Sequence, residues 1–222
     1  MTIAERLADF LVATEGVPAG PRAKAIDAVF DLVIAAIAGF GTEGAAAARV
    51  AAISSFGTGE APVWFTRDRL TVPGAGFANA AMASMLDLDD GHRAAAGHPG
   101  ASIIPAVLAT AATYGAGHER ILTAIALGYE VAVRIAAARD FTALDTMASG
   151  PWVGQGAAAA AAWLRGLDAR RVAQAIAIAG STAPNLSAIG YSRIMGNHVK
   201  EGIPAATVTG LDANTTYYVF VD

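Results

Sequence analysis

The sequence predicts an all-α fold, a compact alanine-rich helical domain that carries one small β-hairpin. Of its 222 residues, 55% are hydrophobic and 15% are charged, so the interior is large relative to the polar surface. Much of the apolar fraction is alanine, the residue with the highest helix propensity. Apolar residues recur with a helical period along most of the chain, and glycines and prolines separate the helical segments.

The helices follow from this period and from the residues that interrupt it. The first covers residues 3–14, and Pro21 suits the first turn of a second helix that extends to about residue 40. The further predicted helices are residues 43–56, 75–86, 101–114, 118–139, 154–164 and 169–179, of which residues 75–86 are apolar on nearly every side. Asp168 is an N-cap candidate for the last of these, and Pro105 is placed in the first turn of the fifth helix.

A short β-hairpin is predicted between the third and fourth helices. Residues 57–62 have the glycines and proline of a turn, and residues 63–65 form a short apolar run of β-type residues. The charged residues 67–69 are predicted to form the hairpin turn, and residues 70–72 its second strand.

Composition and charge exclude several classes of function. The net charge is −4 and the chain has no run of Lys or Arg, so we expect no nucleic-acid partner. The absence of cysteine excludes disulfides, thiolate nucleophiles and Cys-ligated zinc. The apolar segment 25–40 is shorter than the roughly 20 residues that a bilayer requires, and it carries Asp27 and Asp31. Because the N-terminus also lacks the pattern of a signal peptide, we expect no membrane partner and a cytoplasmic location.

The densest polar cluster follows the helix that ends at residue 86. It reads Asp87-Leu-Asp-Asp-Gly-His92, and His98-Pro-Gly100 comes shortly after it. Three carboxylates within four positions repel one another unless cations or hydrogen-bond donors are near. The cluster fits acid–base chemistry with His98 as the proton carrier, a metal site with Asp and His ligands, or a helix end that enters a solvated loop.

Two further segments have a functional and a structural interpretation. The segment 193–204 contains Lys200 among glycine and asparagine, where it could bind a substrate carboxylate or transfer a proton, or pair with Glu201 on the surface. The glycine-rich segment 149–156 is predicted to be a loop before a helix. It could hold an anion at the helix N-terminus, or its glycines could allow close helix packing.

Taken together, these motifs resemble the MmgE/PrpD family, the family of 2-methylcitrate dehydratase and its relatives. The resemblance rests on residues 77–80, 86–92, 98–100 and 105–106, on Gly128-Tyr-Glu-Val131 with Arg134, on residues 154–162 and 166–168, and on Val199-Lys-Glu-Gly-Ile-Pro204. It covers residues 1–212, which we take as the helical domain. Residues 213–222 form a tail that does not resemble the family.

The resemblance implies a lyase-type enzyme, usually a homodimer, that acts on a small di- or tricarboxylate without a metal or organic cofactor. Known family activities are dehydration of 2-methylcitrate, decarboxylation of cis-aconitate and epimerisation of iminodisuccinate, and each involves proton transfer at a carbon next to a carboxylate. By motif, Asp87 and His98 would lie in the catalytic pocket, and Lys200 would bind a carboxylate or move a proton. The adjacent candidates for substrate binding are Asp90, His92 and Arg193.

Two departures from the family pattern leave the reaction open. In the dehydratase and decarboxylase branches a histidine precedes the alanine-rich helix, and this chain has Met147 there, which cannot act as an acid or base. Family members also continue into a smaller lid domain, which we expect to be absent from this sequence. An epimerase-like isomerase and a catalytically silent helical subunit are therefore alternatives to the dehydratase.

Overall fold

The computed structural model describes residues 1–139 and 148–183, and within them eight α-helices and one two-stranded sheet. The helices are α1 (Ile3–Ala13), α2 (Ala19–Gly39), α3 (Glu43–Phe56), α4 (Val72–Ser84), α5 (Gly100–Tyr114), α6 (His118–Ala137), α7 (Gly150–Leu164) and α8 (Ala169–Ser181). The strands β1 (Thr58–Pro62) and β2 (Arg69–Leu70) pair antiparallel between α3 and α4. The predicted all-α class with one small hairpin is confirmed.

Four of these helices begin with a side chain that accepts a hydrogen bond from a backbone N–H of the first turn. Thr2, Thr42 and Thr71 do so for α1, α3 and α4. Asp168 accepts from the N–H of Arg171 at 2.8 Å, so the predicted N-cap of the last helix is confirmed. A cap of this kind contributes about 1 kcal/mol to stability and sets the residue at which the helix begins.

The first strand of the hairpin differs from the prediction. β1 covers the segment that was expected to be a turn, and residues 63–65 belong instead to the connection toward β2. The buried amide of Asn79 on α4 gives the physical reason. It donates to the carbonyl oxygen of Pro62 at 3.1 Å and accepts from the N–H of Trp64 at 2.9 Å. The carbonyl oxygen of Pro62 and the N–H of Trp64 therefore bond to a side chain of α4 rather than to a strand partner.

The glycine-rich segment 149–156 also differs from the prediction, because α7 begins at Gly150 and includes most of it. Gly156 lies against Gly128 of α6, and a Cβ on Gly156 would overlap with the carbonyl oxygen of Gly128. The two helices approach closely because neither residue has a side chain at the crossing. The close-packing interpretation therefore holds for Gly156, whereas a Cβ on Gly154 would meet no atom within 4 Å.

Pro105 is the sixth residue of α5 and is buried, so its predicted place in the first turn is wrong. The helix begins at Gly100, one residue before the predicted start, and the N–H of Gly100 donates to the carboxylate of Asp90 at 2.9 Å. This bond joins the polar cluster to the start of the helix that follows it.

The core lies between α4, α5, α6 and α7, where large apolar side chains fill the space between alanines. Its largest fully buried side chains include Met82, Ile103, Ile104, Ile125, Val131 and Trp152. A second apolar cluster joins α3, α4 and the hairpin around Val63 and Leu70. The connection between α4 and α5 crosses one side of this core, and it carries the predicted polar cluster.

Among the described residues, no single helix has both the length and the apolar character to cross a membrane. α2 and α3 reach those criteria only as a pair, and the two helices meet at an angle of 99°.

Candidate active site

The connection between α4 and α5, residues 85–99, folds back on itself before α5 begins. The N–H of His92 donates to the carbonyl oxygen of Gly97 at 2.8 Å, which forms an isolated antiparallel bridge. Asp87 and Ala96 have positive φ values of 53° and 50°, which non-glycine residues adopt at a cost of about 1–2 kcal/mol. Strain of this kind is often found at functional sites, and here it lies at the first residue of the polar cluster.

Asp87 and His98, which are eleven positions apart in sequence, lie side by side in this connection. Nε2 of His98 is 3.4 Å from Oδ1 of Asp87, and the side chains are 20% and 23% exposed, respectively. An imidazole and a carboxylate at this separation can share or exchange a proton while one edge of the pair remains open to solvent. Of the predicted catalytic residues, these two are brought together by the structure.

Asp89 lies on the other side of the His98 ring and was not among the predicted site residues. Nδ1 of His98 is 3.2 Å from the main-chain carbonyl oxygen of Asp89 and 3.7 Å from its Oδ2. The Asp89 side chain is fully buried, and within the described part of the chain neither of its carboxylate oxygens has a hydrogen-bond partner. His98 therefore has an aspartate on each side, one partly exposed and one buried.

The pKa of Asp89 is raised from 3.8 to about 7. Burial is the largest cause, because removal of water disfavours the charged carboxylate. The charge of His98 opposes the shift, while repulsion from Asp90 and Asp87 adds to it. A carboxyl group that titrates near neutral pH next to a histidine is suited to holding a proton.

Asp90 bonds to the protein through both of its carboxylate oxygens. Oδ1 accepts from the N–H of Gly100 at 2.9 Å, and Oδ2 accepts from the hydroxyl of Tyr129 at 2.8 Å. Burial raises the pKa of Asp90, and these two hydrogen bonds oppose that shift. The pKa of Tyr129 is raised by its own burial and by the charge of Asp90. This geometry supports a positioning role for Asp90 at the start of α5, and its predicted contact with substrate stays a prediction.

His92 faces the turn inside the connection. Its Nδ1 accepts from the N–H of Ala95 at 3.2 Å, and the residue is partly buried. Because Nδ1 acts as an acceptor there, the proton of the neutral ring lies on Nε2. Substrate binding by His92 stays a prediction.

The beginning of α7 and the end of α6 hold the second half of the connection in place. The N–H of His98 donates to Oγ of the buried Ser149 at 2.8 Å. Nη2 of Arg139 donates to the carbonyl oxygen of Ala95 at 2.8 Å, and the guanidinium lies 5.6 Å from the centre of the Trp152 ring. Burial lowers the pKa of Arg139. A Cβ on Gly97 would overlap with Ser149 and Trp152, so this glycine is required by the close approach.

Comparison with family models places this site in a known context. A model described as the MmgE/PrpD N-terminal domain matches residues 5–215. The chain belongs to the MmgE/PrpD family. Comparison with curated proteins gives no match. The matched range includes the connection between α4 and α5 and also the predicted lysine segment, so the resemblance inferred from the motifs is confirmed at the level of the family.

Three residues that the sequence predicts to bear on activity lie outside the described residues of this MmgE/PrpD domain. They are Met147, which stands where a histidine was expected, and the predicted substrate-binding and catalytic residues Arg193 and Lys200. The predicted convergence of Lys200 with Asp87 and His98 on one pocket stays a prediction. The described part of the MmgE/PrpD site is acidic, with Asp87, Asp89 and Asp90 around one histidine.

Asp87, Asp89 and His98 are also the described residues of this MmgE/PrpD domain that could hold a metal ion. One ligand atom from each lies within 4.8 Å of the others. Oxygen and imidazole ligands suit several divalent cations. The metal interpretation that the sequence left open thus has a defined location, while the expectation of a metal-independent reaction stays a prediction.

Sequence reasoning did not find Asp89 or Ser149. In residues 86–89 the polarity is reversed, because Leu86 and Leu88 are exposed while Asp89 is buried. A hydrophobic pattern predicts the opposite and offers no signal for the buried aspartate. Ser149 gave a weak signal as the residue two positions before Pro151 at a helix start, but its partner lies 51 positions away in sequence.

Proposed function

We propose that this MmgE/PrpD domain is a lyase-type enzyme, similar to 2-methylcitrate dehydratase, that acts on a small di- or tricarboxylate by proton transfer next to a carboxylate. The observation that carries the proposal is the 3.4 Å approach between Nε2 of His98 and Oδ1 of Asp87. The pair is partly exposed, so a substrate can reach it, and it adjoins a buried carboxyl group that titrates near neutral pH. Family membership supports the same chemistry.

In the proposed dehydration, His98 accepts the proton from the carbon next to a substrate carboxylate. The electron pair of that C–H bond forms a carbon–carbon double bond, and the hydroxyl group on the neighbouring carbon leaves as water after it receives a proton. Asp87 stabilises the imidazolium that forms on His98, because its carboxylate oxygen lies 3.4 Å from Nε2. Lys200 is the proposed donor of the proton to the leaving hydroxyl.

Substrate binding requires positive charge, because the described part of the site repels an anion. At about 4 Å, two like charges near a protein surface repel by about 4 kcal/mol. We propose that Lys200 and Arg193 supply the opposing charge. Both lie within the range that the family model matches. On this proposal, Lys200→Met raises KM for a tricarboxylate and lowers kcat, since the residue both binds the substrate and donates a proton.

An epimerase-like isomerase is the second candidate, and Met147 favours it. A dehydratase or decarboxylase of this family is expected to use a histidine at that position, and methionine transfers no proton. Epimerisation needs one group to remove the proton and another to return it to the opposite face, and His98 and Lys200 are the proposed two. A catalytically silent helical subunit is the remaining alternative.

A turnover assay with three substrates distinguishes these candidates. The purified chain is incubated with 2-methylcitrate, cis-aconitate and iminodisuccinate, and products are followed by NMR. We expect turnover of at least one substrate, and a loss of roughly 10²- to 10⁴-fold in kcat for His98→Gln and Asp87→Asn. His118→Gln is the matched control, because His118 is highly exposed at the start of α6. No turnover of any carboxylate would support the silent subunit, and full activity in His98→Gln would contradict the assigned site.

We further propose that the protein is a cytoplasmic homodimer. An exposed apolar row along α2 supports the dimer, and it consists of Ile26, Phe30, Ile34 and Ile37. Phe30 and Ile34 are 67% and 66% exposed, which is unusual for residues of this size that occur in a row. Sedimentation of the purified chain tests this proposal. We expect a dimer that the double substitution Phe30→Glu and Ile34→Glu dissociates, and a monomeric parent chain would contradict it.

A further inference from the structure

The Nδ1 side of the His98 ring faces both the main chain and the side chain of Asp89. Nδ1 lies 3.2 Å from the main-chain carbonyl oxygen of Asp89 and 3.7 Å from its Oδ2. The Asp89 side chain has no exposed surface, and within residues 1–139 and 148–183 its oxygens have no hydrogen-bond donor. A buried carboxylate without a donor is costly to maintain, so its position beside the histidine calls for a functional explanation.

The carbonyl oxygen of Asp89 restricts where His98 carries its proton. A carbonyl oxygen can only accept a hydrogen bond, so the ring must present Nδ1 in its protonated form. In the neutral ring, Nε2 then has a free electron pair, and Nε2 is the atom that faces Asp87 and the open side of the site. The main chain at Asp89 therefore sets the tautomer that the proposed base requires.

The carboxyl group of Asp89 is placed to act on the charge of the same ring. When Nε2 takes a proton, the ring becomes an imidazolium whose Nδ1–H points toward Asp89. A carboxylate behind the ring stabilises that charge, and more so in a buried setting than in water. Asp87 cannot do this from the same side, because it lies against Nε2.

We propose that Asp89 is a positioning residue that acts through His98. Its main-chain carbonyl oxygen keeps the neutral ring protonated on Nδ1, and its buried carboxylate stabilises the imidazolium that forms during proton transfer. The second part rests on the proposed function of the site. The first part concerns only the resting state of the ring, so it can be tested without a substrate.

We assign this role to Asp89 rather than to Asp90 or Asp87 because those two carboxyl groups have other contacts. Asp90 is committed to Gly100 and to Tyr129 of α6 through its two oxygens. Asp87 lies on the open side of His98, and Asp31 of α2 acts on Asp90 and Tyr129 rather than on Asp89. Burial is the largest cause of the raised pKa of Asp89, and the charged side chains of the described residues that act on it are His98, Asp90 and Asp87.

The test of the first part is the tautomer of His98 by ¹⁵N NMR of the complete chain. The sequence has four histidines, so His98 is assigned by comparison with His98→Gln. We expect the neutral ring to carry its proton on Nδ1, and Asp89→Asn to retain this tautomer because the main-chain carbonyl remains. A neutral ring protonated on Nε2 in the parent chain would overturn this part whether or not any substrate turns over.

The test of the second part compares Asp89→Asn with Asp68→Asn, an exposed aspartate in the connection between β1 and β2. For Asp89→Asn we expect kcat to fall roughly 10- to 100-fold with KM little changed, and the pH–rate profile to differ from that of the parent chain near neutral pH. Asp68→Asn should leave kcat, KM and the pH–rate profile unchanged. If Asp89→Asn keeps the parent kcat and pH profile, the second part is wrong.

The NMR titration covers the case in which no carboxylate turns over. At a fixed pH, a smaller fraction of His98 should be in the imidazolium form in Asp89→Asn than in the parent chain. An unchanged imidazolium fraction would show that the Asp89 carboxylate does not stabilise the charged ring, and the second part would be wrong. A reduced fraction together with an inactive chain would leave the Asp89–His98 arrangement standing and would contradict only the proposed function.

Discussion

The N–H of His98 donates to Oγ of Ser149 at 2.8 Å and joins two residues that are 51 positions apart in sequence. This bond fixes the main chain of the candidate base against the N-terminus of α7. Its neighbour Gly97 lies so close to Ser149 and Trp152 that a Cβ would not fit. The orientation of the imidazole therefore depends on how α7 packs, although α7 supplies none of the side chains assigned to proton transfer.

Ser149→Ala should reduce both stability and activity. The substitution leaves the N–H of His98 without its acceptor, which costs about 1–3 kcal/mol when a group is buried. We expect a corresponding fall in the free energy of unfolding in urea and a lower kcat, because the ring is less well held. The control is Ser54→Ala, since Ser54 is exposed and bonds only within α3. Equal behaviour of the two variants would show that the bond to Ser149 does not position the site.

Asp89→Asn should make the protein more stable at high pH. Because its pKa is raised from 3.8 in the unfolded chain to about 7, Asp89 binds a proton more tightly in the folded state. Its contribution to stability is therefore complete below about pH 4 and is lost as the pH rises through about 7. At about 1.4 kcal/mol per pKa unit, the variant should gain on the order of a few kcal/mol at pH 8.

Urea unfolding at pH 4, 6 and 8 measures this effect, with Asp68→Asn as the exposed control. The difference between Asp89→Asn and the parent chain should grow with pH in favour of the variant. A difference that is the same at all three pH values would mean that the Asp89 carboxyl is not forced toward its neutral form by burial.

Tyr129→Phe should destabilise the start of α5. The substitution removes no group that is assigned to proton transfer. It deletes the donor to Oδ2 of the partly buried Asp90, and loss of a hydrogen-bond partner of such a group costs about 1–3 kcal/mol. Tyr114→Phe is the matched control, because Tyr114 is exposed and its contact with the guanidinium of Arg165 uses only the ring. Thermal unfolding of the two variants compares them. Equal melting temperatures would indicate that Tyr129 does not hold Asp90.

A chelator should leave turnover unchanged. Although one ligand atom each from Asp87, Asp89 and His98 lies within 4.8 Å of the others, the proposed reaction uses these groups directly for proton transfer. Extended dialysis against EDTA, followed by assay with and without added Mg²⁺, Mn²⁺ and Zn²⁺, tests the point. Loss of activity that one of these ions restores would replace the acid–base assignment with a metal centre.

The fold could be predicted in most of its elements because the signals were local. Helices such as α1 and α8 have apolar periodicity and a capping Thr or Asp at the start, and their bounds follow from these. The errors arose where a distant residue decides the local structure. Asn79 binds the backbone beside β1, and Asp90 accepts from the first N–H of α5.

The candidate site could be predicted only in part, for the same reason. The resemblance to the family singled out Asp87 and His98, and the structure brings these two together. Asp89 could not be found from pattern, because it is buried while the leucine beside it, Leu88, is 59% exposed. Residue spacing contains no information on which of three neighbouring carboxylates turns inward.

Deuterium exchange tests the central claim, proton removal by His98 next to a substrate carboxylate, most directly. The chain is incubated in D₂O with whichever carboxylate it turns over, and incorporation of deuterium at the carbon next to the carboxylate is followed by NMR. We expect exchange in the parent chain and in His118→Gln, and exchange that is slower by at least roughly 10²-fold in His98→Gln. Undiminished exchange in His98→Gln, or turnover of that substrate in the parent chain without proton loss from this carbon, would contradict the account.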